Sequence, residues 1–160
     1  PLPCAQANLT CTVTCNERGV LSLYSDCTEW AGTPEALTLR RADTWNLETG
    51  YPITASECFP RGTRVRALCL TAAREQCRRQ QESSLAVYHP DFSRRLRRNL
   101  NLRNFYLSEK GFHFFYQPWA IAPGFEGCPT FLLPFSDSET DAAGPLWPAG
   151  NPCNAEKSIV

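Results

Sequence analysis

Apolar and polar positions alternate over LTCTVTC, residues 9–15, so that Leu9, Cys11, Val13 and Cys15 share one side of an extended chain and Thr10, Thr12 and Thr14 the other. GVLSLYS, residues 19–25, is equally rich in strand formers, and NERG, Asn16 to Gly19, supplies turn chemistry between the two runs. Together they predict a hairpin whose first arm is half-buried with its cysteine side inward. A short strand over Leu37 to Arg41 and a polar turn over Leu47 to Gly50 follow. From Thr63 the period changes. Val65, Leu68, Cys69 and Ala72 recur at i, i+3, i+4 and i+7, which is a helix face, and Cys69 and Cys77 fall on one broad side of it. Pro90 can open a second, shorter helix in which Phe92, Leu96 and Leu100 repeat at i, i+4 and i+8 while Arg94, Arg95, Arg97 and Arg98 occupy its other faces.

The densest aromatic run, GFHFFYQPWAIAPGFEGCPTFLLPF from Gly111 to Phe135, is again period-two: Phe112, Phe114 and Tyr116 point one way, His113, Phe115 and Gln117 the other. With NFYL before it and a tight turn over Ser108 to Gly111, it reads as two strands. A last strand spans Thr130 to Phe135, at a sheet edge because Pro134 cannot donate to a ladder. Helices grouped between runs of strands predict an α+β fold, an antiparallel sheet of about five to six strands with two helices packed on one face. The expected domain covers residues 1–137, with an irregular tail over 138–160.

Composition sharpens this picture in three places. No apolar run approaches the ~18 residues that span a bilayer. There is no methionine, so Pro1 reads as something other than a translation start, with a leader or anchor removed before it. Nine cysteines in 160 residues point to an oxidising compartment and disulfides, the competing reading being buried thiols packed as small hydrophobes. Their spacing lacks the close pairs of a zinc site. The formal net charge is zero, but residues 63–110 form a basic block of eleven cationic and four acidic side chains between two acidic flanks.

Three stretches resemble one family, the carboxy-terminal domain shared by RsiV-type anti-sigma factors and PdaC-type peptidoglycan deacetylases. TWNLETGYPITASECF, Thr44 to Phe59, is similar to its Asn-Phe-Asp-Leu-x-Thr-Gly turn and the apolar segment after it. NFYL at Asn104 to Leu107, then GFHFFYQPWAIAPGFEG and LLPF, follow its aromatic segment in order. The likeness runs from about Leu21 to Asp137. WAGTPEA, Trp30 to Ala36, stands where the family often has a Gly-Gly-Ala-His turn, Asn46 stands where Asp is usual, and the many cysteines are not a family habit. The resemblance implies an extracytoplasmic module at a bacterial cell surface: a receptor for lysozyme in the anti-sigma members, a companion to a separate catalytic domain in the deacetylases.

The chemistry left in the chain favours binding over catalysis. His89 and His113 are the only imidazoles and sit in no metal-seating arrangement, so we expect neither an enzyme nor a metal or cofactor. RRLRRNLNLR is a solvated helix face rather than a nucleic-acid footprint, given zero net charge; near anionic wall polymers or lipid headgroups it would be at home. A basic lysozyme would be repelled by the +7 block, leaving the acidic flanks and the loops Glu29 to Glu35 and Trp119 to Glu126. The expected contact residues are Trp30, Glu35, Trp119, Phe125 and Glu126. The partner expected is an extracellular lysozyme-like protein or peptidoglycan, not nucleic acid, with membrane anchoring through a segment outside this sequence. The rival expectation is an accessory domain that positions a wall-modifying enzyme.

Overall fold

The computed structural model describes residues 6–30 and 36–135; the 138–160 tail, Glu35, Cys4 and Cys153 lie outside them. Among these residues six strands form two antiparallel three-stranded sheets, accompanied by two α-helices, an α+β fold. The first sheet is a meander of β1 (Gln6–Glu17), β2 (Val20–Trp30) and β3 (Leu37–Asn46). After a 3₁₀ turn over Ala55–Cys58 come α1 (Val65–Glu82) and α2 (Phe92–Asn99). The second sheet is another meander, β4 (Phe105–Ser108), β5 (Gly111–Phe115) and β6 (Thr130–Pro134), with β6 at an edge as Pro134 requires. No helix among the described residues is long and apolar enough to cross a membrane.

The core lies between the helices and the second sheet. α1 lays Val65, Cys69, Ala73 and Cys77, one residue per turn, against Phe105, Leu107, Phe112, Phe114 and Phe131. α2 adds Leu96 and, just past its end, Leu100, with Phe92 partly buried beside them. Phe105 stacks on Phe112 at 4.9 Å and Phe59 meets Phe112 edge-on at 5.1 Å, so the aromatic positions of β4 and β5 fill this layer rather than face solvent. Cys58, Cys69 and Cys77 are wholly buried, and burial pushes their thiols up, to about 12, about 12 and about 11.

The expected disulfides are not found among the described residues, where seven cysteines are free. Three of them pack as core hydrophobes. Cys11 and Cys27 share a sheet face, but Cys11 stands opposite Ser25 and Cys27 opposite Leu9, a diagonal that withholds direct cross-strand pairing.

The first sheet is amphipathic in the reverse of the expected sense. Its register changes between Val13 and Cys15, where Thr14 is the extra residue of a bulge. Cys15 therefore faces inward and is buried, whereas Leu9, Cys11 and Val13 face out; Leu9 is 69% exposed and Val13 57%. Leu37 and Leu39 lie on the same outer face and are also exposed. The inner face is mixed, with Cys15 and Val20 buried there beside polar groups. Ser22 and Thr44 share a hydrogen bond of 2.7 Å, the Leu107 amide donates to Ser22 Oγ at 2.8 Å, and Thr14 Oγ1 donates to the Leu107 carbonyl at 2.7 Å. Hydroxyls of the first sheet thus occupy main-chain groups of β4.

Candidate functional site

The segment from Tyr116 to Pro129 is a loop by shape but is tied down along its length. Tyr116 is buried and its hydroxyl donates to the Leu96 carbonyl at 3.1 Å. Gln117 behaves as a one-residue strand on the edge of β3: the Arg40 amide donates to its Oε1 at 3.0 Å and its Nε2 donates to the Arg40 carbonyl at 2.6 Å. Asn99 Nδ2 donates to the Ala120 carbonyl, the His89 amide to that of Ile121, and Ile121 and Ala122 are buried. Between these anchors Trp119 adopts a φ of 67°, a left-handed backbone that a bulky residue seldom takes without compensation. Gly124 lies directly against its indole, where any side chain would overlap the ring.

A cleft of about 410 Å³ opens between this loop and the inner face of the first sheet, lined by Asp26, Thr38, Arg40, Trp119, Phe125 and Cys128 among others. Its rim is aromatic: Trp119 is 52% exposed and Phe125 80%. On the sheet side Arg40 grips Asp26 in a two-pronged pair, Nε to Oδ1 and Nη2 to Oδ2 both at 2.7 Å, with its guanidinium 4.1 Å above the Tyr24 ring and 5.7 Å from that of Phe115. Opposite charges fixed this way offer polar contacts of both signs beside apolar rings. Burial pushes the Cys128 thiol up, which keeps it protonated and poorly nucleophilic at neutral pH.

Of the five sequence-derived contact residues, the structure brings Trp119 and Phe125 together. Trp30 is exposed at the end of β2, and Glu35 lies outside the described residues. Glu126 turns to a different recess and accepts the Val87 amide at 2.8 Å, so it braces the loop instead of facing the cleft. Asp26, Thr38 and Arg40 were missed. Their signal was present, since Arg40 and Thr38 fall out of phase with Leu37 and Leu39, but the polar side of a strand is ordinarily its solvent side. His113 lies between the sheets, stacked on Tyr106 at 4.8 Å with Nε2 2.7 Å from Ser108 Oγ; among the described residues no group of acids, histidines and cysteines is arranged to hold a metal.

No curated protein matches the chain. Two solved structures share its fold. One, a member of the DUF3298 family from Bacteroides fragilis, superposes with a TM-score of 0.63 at 14% identity, over 96% of this chain and 58% of that one. The other, a DUF3298 family protein from Pseudomonas aeruginosa, gives 0.60 at 12% identity, over 80% of this chain and 57% of that one. The chain spans less than two thirds of the length of either. Residues 59–136, which hold both helices, the second sheet and the aromatic loop, match the family described as a protein of unknown function (DUF3298), and it is with DUF3298 proteins that the chain shares its fold.

Proposed function

We propose that the chain is a non-catalytic binding module displayed outside a bacterial membrane, of the RsiV/PdaC carboxy-terminal type, and that the cleft between the first sheet and the Tyr116–Pro129 loop receives an extracellular ligand, a lysozyme-like protein or a wall glycan. The observation that supports this reading is the pair of exposed aromatic side chains, Trp119 and Phe125, held over a paired Arg40 and Asp26 by a loop whose ends and middle are all anchored. Rigid aromatic anchors give contact energy at small entropic cost. The sequence likeness to the lysozyme-receptor family supports the choice of ligand.

Calorimetric titration of the protein with a panel of lysozymes and with N-acetylglucosamine oligomers tests the reading. Phe125→Ala, at a position that packs into no core, is expected to weaken binding by about tenfold or more, as loss of an interface anchor does. Absence of heat with every ligand at high micromolar concentration, or equal affinity in the variant, overturns it.

A further inference from the structure

Trp119 lines a second recess besides the cleft, about 300 Å³ in volume, whose other walls include Asp91, Arg94, Arg95, Arg98 and Asn99. Helix α2 has eight residues and four of them are arginines. The distribution serves the helix only in part, since Arg97 and Arg98 stand in its last turn, where the dipole favours cations. Arg94 and Arg95 occupy its first turns, where the dipole favours acids, and no acid stands there. Arg95 is answered by Asp91, Nε to Oδ1 at 2.6 Å, whereas Arg94 and Arg98, a like-charged pair at i, i+4, have no carboxylate partner among the described residues. The recess walls therefore carry two guanidinium groups that form no ion pair among the described residues, Arg94 within electrostatic reach of the Asp91 carboxylate, beside a half-exposed indole on a strained backbone. Asn99 and Ala120 join helix and loop by a hydrogen bond of 2.9 Å at the same place, so the helix that carries the arginines is tied to the loop that carries the tryptophan.

From this arrangement we infer an anion-binding subsite, and its chemistry selects an acidic saccharide: a carboxylate or phosphate on Arg94 and Arg98, which suit planar oxyanions, and the apolar face of the sugar ring against Trp119. The subsite deepens the binding-module reading by naming a ligand class for the side of Trp119 that the cleft does not use. It rests on that reading only for the supposition that the ligand is extracellular.

The test is a titration of the protein with an oligogalacturonate (carboxylate) and mannose 6-phosphate (phosphate), with neutral galactose and mannose as the matched controls. Binding of an acidic probe that weakens as salt rises, and by about tenfold in the exposed-site double variant Arg94→Ala/Arg98→Ala, is expected. The double lysine variant should retain part of the affinity, because charge stays while the planar fork is lost. Which acidic probe binds separates carboxylate from phosphate. Acidic-probe binding and binding of lysozymes or N-acetylglucosamine oligomers are read on the same protein, so failure of the cleft and failure of the subsite register separately. The inference falls if neither acidic probe binds at millimolar concentration, if the matched neutral sugars bind equally well, or if the double alanine variant binds as tightly as the parent.

Discussion

His113 is placed between the sheets, with its ring on Tyr106 and its Nε2 on Ser108. Burial, and secondarily the charge of Lys110, lower its pKa from the ordinary 6.5. As pH falls, the unfolded chain takes up this proton before the folded one does. Stability is then full above about pH 6.5, declines as pH drops from there toward the lower folded-state value, and levels off beneath it. Urea midpoints measured from about pH 8 to pH 5 should fall more steeply for the parent than for His113→Gln. Superimposable curves would show that His113 titrates alike in both states. At this scale the sequence reading was sound about grouping and weaker about direction. Alternation placed His113, Phe115 and Gln117 on one side of β5, but gave no sign that Phe115 is as buried as Phe114, because a second sheet covers that side as well.

Among the elements, the same limit explains the first sheet. Period-two spacing tells which residues share a face; which face is covered depends on where the next layer packs. Leu9, Cys11 and Val13 do share a face, and it is the outer one; the bulge at Thr14 then returns Cys15 to the interior. The helices were more legible, since a 3.6-residue stripe such as Phe92, Leu96 and Leu100 has a single apolar side to bury. What no periodicity could announce is the use of glutamine side chains as edge covers. Gln117 pairs with the Arg40 main chain on β3, and Gln76 does the same on β6, donating to the Leu132 carbonyl at 2.9 Å and accepting its amide at 3.3 Å. Each fills an edge that would otherwise invite another strand. Gln117→Leu should cost about 1–3 kcal/mol in urea denaturation, because a half-buried amide and carbonyl of β3 lose their partners. A change under half that size would mean that water replaces them freely.

For the molecule as a whole, apolar packing is concentrated on one side of the second sheet, where α1, α2 and the aromatic strands meet, while the first sheet is attached through hydroxyls, the Gln117 clasp and a smaller apolar contact that includes Val20 and the Tyr24 ring 5.1 Å from that of Tyr106. Native-state hydrogen exchange should therefore divide the chain. Amides of β5 and the buried turns of α1 should exchange only with global unfolding, and those of β1 to β3 through a cheaper opening. Uniform protection across both sheets would contradict the division. The polar seam has a thermal consequence too. Detaching the first sheet uncovers Ser22, Thr44, Asp26 and Arg40 together with Val20, Phe115 and tyrosine rings, a more polar mixture than the helical core, and polar surface lowers the heat capacity where apolar surface raises it. The free energy of that opening should arch less with temperature than global stability does. In the cold, where apolar packing weakens, the seam would keep its grip and the two sheets would become closer to equal in protection.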